Sequence, residues 1–298
     1  MRPTRDTAAG RAYLDLQAKA RAEKQPTDSV LVLYALEGFL ARLTASDYRD
    51  QLVLKGGVLL AAFLVRRPTR DVDLQAQELP NDLNSVLALV RAIASGAPTD
   101  GVDDGLVFHA DRATGRAIRD EDAYSGVRVS LTATLHTARI SFHVDVNVGD
   151  PIWPVPQTVQ LPRLLGGSLE LRGYPVAMVY AEKIVTALDR GIANTRWRDF
   201  GDVYVLSVTQ TVTALDLIEA ISAVAQHREV KPQPLHLVLD GYALIAQPRY
   251  TAWRRRHQRL ELPHDFADLL AEVAAFVDPV LDGSTTDAMW SPSQRTWT

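Results

Sequence analysis

The sequence predicts an α+β chain in two parts: helices and strands over residues 1–174, then an all-α portion over residues 175–298. Three observations carry that expectation. Apolar and polar residues alternate through much of Leu106 to Val148, as half-buried strands require. The short apolar run Leu52-Val53-Leu54 leads into a glycine pair, Gly56-Gly57. After Tyr174-Pro175 the apolar spacing turns almost purely helical.

Taken in order, residues 7–25 and 28–46 have helical spacing, with Leu31, Tyr34, Ala35, Phe39 and Leu43 as apolar positions and Asp28 as a cap for the second helix. Leu52 to Leu54 reads as a buried strand, and Val58 to Val65 as the helix that follows the glycine pair. Asp71 to Ala76 is the next strand, followed by a helix from Asp82 to Ala94 and a Gly/Asp/Pro-rich loop from Ser95 to Gly105. Further on, Val127, Val129 and Leu131 oppose Arg128, Ser130 and Thr132. Ile140, Phe142, Val144, Val146 and Val148 oppose Ser141, His143, Asp145 and Asn147. Gly149-Asp150-Pro151 ends that strand, and a proline-rich connection (Pro151, Pro154, Pro156, Pro162) leads onward. Helices are expected at 176–190, 196–208, 213–227, 248–260 and 264–281, with a polar, loose tail from Gly283.

With 298 residues, 47% of them hydrophobic, the chain has ample material for a core. Charge interrupts every apolar run before about 18 residues, so no membrane span is expected. The first residues lack the apolar stretch of a secretory signal. There is no cysteine, which excludes disulfides, thiolate zinc sites and cysteine nucleophiles and fits a cytoplasmic location. The net charge of −4 means that any nucleic-acid contact must come from a local basic patch. Arginine is the default cation, since Lys19, Lys24, Lys55, Lys183 and Lys231 are the only lysines. Lys55 and Lys183 stand out because they lie in buried-looking segments.

The densest chemistry lies in Lys55-Gly56-Gly57 and Thr69-Arg70-Asp71-Val72-Asp73. Two carboxylates at i, i+2 in a strand point to the same face. Glycines offer a tight turn and bare amides that suit close approach of a phosphate. Asp145, on the polar face of a later strand, supplies a third carboxylate. Asp71, Asp73 and Asp145 could together hold hard divalent cations; magnesium favours a few carboxylates, water and substrate phosphates. Two such ions serve phosphoryl transfer by activating a hydroxyl and neutralising a leaving pyrophosphate. An Asp-x-Asp pair alone is less specific, since it also occurs in glycosyltransferases, at polar strand edges and in caps. Lys183 lies on an amphipathic helix, followed by Asn194-Thr195-Arg196-Trp197-Arg198-Asp199-Phe200-Gly201-Asp202. Asn194 or Thr195 can cap that second helix, and Arg196, Asp199 and Asp202 recur along one side. The segment suits a salt-bridged helix face or a nucleotide clamp.

These segments resemble the AbiEii (MenT-like) family of nucleotidyltransferase toxins of type IV toxin–antitoxin systems. The resemblance runs through YALEGFLARLTASDYRDQLVLKGGVLLAAFL and RRPTRDVDL, through Tyr124-x-Gly-Val-Arg-Val and ISFHVDVNVGDP, and through YAEKIVTAL and NTRWRDFGD, over residues 30 to 206. It implies a DNA-polymerase-β-like nucleotidyltransferase domain followed by a helical domain, transfer of a nucleotide from an NTP, and a cognate antitoxin. Asp71 and Asp73 would then bind two Mg²⁺ ions, and Asp145 would be the third ligand and general base. Lys55, Gly56 and Gly57 would shape the phosphate turn. Lys183, Arg196 and Arg198 would serve the nucleotide, and Asp202 would complete the site. Arg198 stands where the family usually has lysine, Asn147 where glycine is common and Gly201 where an aromatic is usual. These departures bear on nucleotide or acceptor preference.

The acceptor implied is an RNA 3′ end, the tRNA acceptor stem, so that translation is blocked. A protein or small-molecule hydroxyl is an alternative acceptor, and a non-catalytic nucleotide- and antitoxin-binding protein is an alternative of another class. Arg249, Tyr250, Trp253, Arg254, Arg255, Arg256, His257 and Arg259 form the densest basic cluster and read either as a surface for an RNA backbone and an unpaired base or as a solvated helix face. Arg66, Arg67 and Arg70 lie beside the metal motif, placed to guide an anionic substrate. A phosphate on Thr69 would add about −1.5 to −2 charge beside the metal site, making Thr69 a candidate off-switch for the antitoxin. A monomer is expected.

Overall fold

The computed structural model describes residues 2–63, 65–99, 101–120 and 124–298. The chain divides into two compact units, Met1–Asp150 with Pro156–Gly173, and Pro151–Val155 with Tyr174–Thr298. The first unit mixes helices and strands: α1 (Ala8–Ala22), α2 (Thr27–Thr44), β1 (Leu52–Lys55), α3 (Gly56–Leu59), β2 (Asp71–Ala76), α4 (Leu83–Ser95), β3 (Leu106–Phe108), β4 (Thr114–Asp120), β5 (Tyr124–Leu135), β6 (Ala138–Val148), β7 (Gln157–Pro162) and β8 (Ser168–Gly173). The second contains α5 (Val176–Arg190), α6 (Trp197–Ser207), α7 (Ala214–His227), α8 (Leu235–Val238), α9 (Tyr242–Arg256), α10 (Phe266–Leu281), β9 (Trp290–Ser291) and β10 (Thr296–Trp297).

Among the described residues one sheet runs β3-β5-β6-β2-β1-β8-β7, with β4 also paired to β5. The β2–β6 and β1–β8 pairs are parallel and the remaining pairs antiparallel. Period-two alternation sets one apolar face, where Val72, Leu74, Val129, Leu131, Phe142, Val144 and Val146 are buried. α2 packs on β6, and α4 on β4 and β5. Phe39 of α2 meets Phe142 edge-on at 6.4 Å. Residues Val30 to Leu43 of α2 are all buried, the pattern of a core helix. The two charged residues within that span are accordingly satisfied. Arg42 pairs with Asp104 at 2.7 Å, and Glu37 accepts from the Leu164 amide and from Arg66.

Asp28 does not cap α2. The helix opens at Pro26, and Asp28 sits in its first turn, paired with Arg70. The expected helix from Val58 is a single α-turn, already begun at Gly56, that tightens into a 3₁₀ turn over Leu60–Phe63. Pro68 lies just beyond, and the residue before a proline is biased away from helix.

In the second unit α5 packs on α6, α7 and α8, and α10 on α6, α7, α8 and α9. α9 starts at Tyr242, not at 248, and carries Pro248 inside it. An interior proline costs about 3 kcal/mol. Tyr242, Ala246 and Tyr250 are buried at helical spacing, and Phe266 packs against both tyrosines. That burial offsets the proline. The expected loose tail is ordered: β9 and β10 form a hairpin, Trp290 is buried and Trp297 stacks on Phe276. Trp290 Nε1 donates to the Ser207 carbonyl at 2.6 Å. Two tryptophans supply apolar burial that the polar residues around them conceal.

Candidate active site

The parallel register of β2 and β6 places Asp73 directly opposite Asp145, and Asp71 opposite His143. Ligand oxygens of Asp71, Asp73 and Asp145 lie within 4.8 Å of one another. Asp71 and Asp73 are half-buried and Asp145 is buried. All three occupy the polar sheet face, opposite the face covered by α2 and α4. Three clustered, partly accessible carboxylates fit a hard cation that keeps some water and takes phosphate oxygens.

The glycine pair supports these carboxylates at close range. Gly56 has φ +66°, and a Cβ there would lie 1.9 Å from Asp73 Oδ2. Only glycine fits both the conformation and the contact. A Cβ on Gly57 would meet Thr69 Oγ1 at 3.0 Å and the Arg67 guanidinium at 3.1 Å. The Thr69 hydroxyl is buried and donates to Asp71 Oδ1. Lys55, also buried, pairs with Asp150 at 2.9 Å, tying the end of β1 to the turn after β6. Arg66 pairs with Glu37 and Arg70 with Asp28, both arginines remaining exposed, while Arg67 is buried.

Arg128 was not among the residues singled out from sequence for the site. Directly opposite Asp145 on β5, it donates from Nε to Oδ1 at 2.7 Å and from Nη2 to Oδ2 at 2.5 Å. The hydrogen bonds to Asp145 raise its pKa beyond the ordinary arginine value. Its position on the polar face was visible in the alternation, but its partner depended on strand register. His143 shares that face, hydrogen-bonds Ser130, and has its pKa lowered by burial and by Arg128.

The second unit holds a separate cluster. Lys183 donates to Asp199 at 3.0 Å and to Asp202 at 2.9 Å, using two of its three N–H donors. Arg196 Nε bonds Asp199 at 2.6 Å, and Arg259 lies 3.7 Å from Asp202 while also pairing with Glu261. Burial alone would raise the Asp199 pKa, but Lys183 and Arg196 outweigh it and hold the group well below the usual carboxylate range. Neither Asn194 nor Thr195 is the helix cap. α6 opens at Arg196, whose amide bonds Asn194 Oδ1. Arg198 is exposed. A Cβ on Gly201 would lie 2.9 Å from Leu262 and 3.7 Å from Trp253, which fill the space beside that glycine.

The basic cluster expected to face RNA is divided. Arg249, Arg255, Arg256 and His257 are exposed. Tyr250 is buried with its hydroxyl on the Pro263 carbonyl, Arg254 binds the Leu260 and Leu262 carbonyls, and Arg259 is buried. Tyr250 therefore offers no face to a base. No described helix is long and apolar enough to cross a membrane.

Comparison with curated proteins yields no match. Two solved structures align with the chain. One, described as a candidate nucleotidyltransferase from H. pylori, is 13% identical with a TM-score of 0.49, covering 86% of this chain and 97% of that one. The other, JHP933 from Helicobacter pylori, is 14% identical with a TM-score of 0.46, covering 84% and 91%. A family model for the nucleotidyl transferase AbiEii toxin of type IV toxin–antitoxin systems matches residues 38–272, a span that contains both aspartate clusters. The chain belongs to the AbiEii nucleotidyltransferase toxin family.

Proposed function

We propose that the chain transfers a nucleoside monophosphate from an NTP to an RNA 3′ hydroxyl, with the tRNA acceptor stem as the target and translation as the process blocked. The observation that carries the transfer chemistry is the Asp71–Asp73–Asp145 cluster on one sheet face of a member of this family. We read the first unit as a DNA-polymerase-β-like nucleotidyltransferase domain on the same ground. Magnesium bound by these carboxylates, as two ions, would neutralise triphosphate charge and make the acceptor hydroxyl a better nucleophile.

The protein's own residues set the conditions for that chemistry. Asp71 and Asp73 present oxygens from one strand, and Gly56 lets Asp73 sit against the turn backbone. Asp145 is the general base in this reading. Gly56 and Gly57 offer amides to phosphate, while Lys55 serves through its pair with Asp150 by holding the turn. Lys183, with one donor left, and Arg196 and Arg198 bind the nucleotide, and Asp202 orients Lys183. A toxin–antitoxin family implies an antitoxin partner. A phosphate on Thr69 would replace the hydroxyl that Asp71 accepts from and repel the triphosphate. Mass spectrometry of protein co-expressed with its antitoxin tests that switch. An inhibited sample with unmodified Thr69 rejects it.

Incubation with tRNA, Mg²⁺ and each α-labelled NTP tests the main reading. Label is expected in RNA with at least one NTP, and its absence from RNA under all four rejects the acceptor. The second reading is a protein or small-molecule hydroxyl, supported by the burial of Tyr250 and Arg259, which removes two members of the surface expected to hold RNA. Label in protein or in a small molecule, with RNA unlabelled, would establish it.

A further inference from the structure

A divalent ion at the triad needs an oxygen of Asp145, and Arg128 already holds both of them. The contact is built in. Arg128 and Asp145 are directly opposed on neighbouring antiparallel strands, the carboxylate is buried, and the guanidinium meets it as a two-pronged fork. Arg116 stands directly opposite Arg128 on β4. Like charges facing each other across a strand pair are unfavourable, which gives Arg128 added reason to lean toward the carboxylates. Asp71 and Asp73 attract the guanidinium as well.

We propose that Arg128 is a resident counter-cation of the carboxylate triad, seated on Asp145. It holds the Asp145 carboxylate in place, and competes with the divalent ion for it, thereby setting how tightly metal binds before nucleotide arrives. The proposal rests on the reading of the triad as a metal site. Removing one positive charge about 6 Å from the ion site should strengthen divalent binding about tenfold even at a water-like effective dielectric. Once a triphosphate adds its own negative charge, the competition shifts toward the metal. Arg128 is thus a positioning residue that acts through Asp145.

The test is a direct titration of Mn²⁺, without nucleotide, into the full chain and the variants Arg128→Met, Arg128→Lys and Asp73→Ala, followed calorimetrically. The expected result is about tenfold tighter binding for Arg128→Met, near-native affinity for Arg128→Lys, which keeps the charge, and loss of binding for Asp73→Ala. Mn²⁺ should also raise the melting temperature of Arg128→Met more than that of the parent. In activity assays the Mg²⁺ concentration for half-maximal labelling should fall by a similar factor. Arg128→Gln, which keeps a donor to Asp145 without the charge, replaces the Met variant if that one does not fold. Equal or weaker Mn²⁺ binding by the neutral variant overturns the inference while leaving the metal site standing. If the parent and Asp73→Ala both fail to bind Mn²⁺, the metal-site reading fails and the inference with it.

Discussion

The two aspartate clusters use the same chemistry to opposite ends. On the sheet face Arg128 forks onto one of three clustered carboxylates, and the other two are half-open to solvent. In the helical unit Asp199 and Asp202 are buried, and Lys183, Arg196 and Arg259 surround them, with Glu261 joining through Arg259. The first cluster is partly open to solvent, and the second is buried among its own cations. Clustered, partly exposed carboxylates gain by taking up a cation, whereas a buried, paired set gains by staying closed. Removing a carboxylate should therefore cost chiefly activity in the first case and chiefly stability in the second.

Asp73→Ala gives the largest expected effect, a loss of nucleotide transfer of about a thousandfold or more, as for removal of a metal ligand in two-ion phosphoryl transfer. Label incorporation checks it, and transfer within tenfold of the parent would break the comparison. The fold should persist, because the change relieves repulsion among carboxylates.

Asp199→Ala should destabilise the helical unit by about 3 kcal/mol, since it leaves Lys183 and Arg196 short of a partner. All five tryptophans lie in that unit, so urea titration followed by tryptophan fluorescence reports on it alone. The sign with pH also follows. A carboxylate whose pKa is lowered on folding stabilises above its unfolded value and loses that contribution as pH falls toward the folded one. Fluorescence-detected stability should therefore decline in acid below about pH 4, and Asp199→Asn should weaken that decline.

Gly56→Ala should sharpen the distinction. The added carbon would collide with Asp73 and force a positive φ on alanine. Transfer should fall about a hundredfold, the cost of displacing a catalytic group by roughly an ångström, with tryptophan-reported stability unchanged. The smallest effect expected is for Tyr180→Phe. The Tyr180 hydroxyl is buried without a hydrogen-bond partner, and burial pushes its pKa well above the ordinary value. Its removal should stabilise the helical unit by about 1 kcal/mol in the same urea titration.

Much of this arrangement was legible from residue spacing. Asp71 and Asp73 share a face by strand geometry alone, and the alternation around Asp145 set its side of the sheet. What spacing could not show is which residue stands opposite which. The fork from Arg128 to Asp145 and the pair between Lys55 and Asp150 both depend on strand register and on where a turn folds back. The glycine pair was read as room for a phosphate, while the structure shows Gly56 making room for Asp73. In the tail, polar composition hid two tryptophans whose burial orders a hairpin. Tyr250 and Arg259 looked like surface because they lie in a basic run, yet aromatic packing and an ion pair draw them inward.

The parallel pairing of β2 with β6 has a consequence for how the centre comes into being. Asp73 and Asp145 become neighbours only after α4, β3, β4 and β5 have been looped out between them. Closing such a long crossover is slow and costs chain entropy before any contact rewards it. In the proposed reading the half-centre on β2 lacks its third carboxylate, so transfer should not return before the two strands pair. In a refolding experiment the return of nucleotide transfer marks closure of that strand pair, later than collapse of the chain.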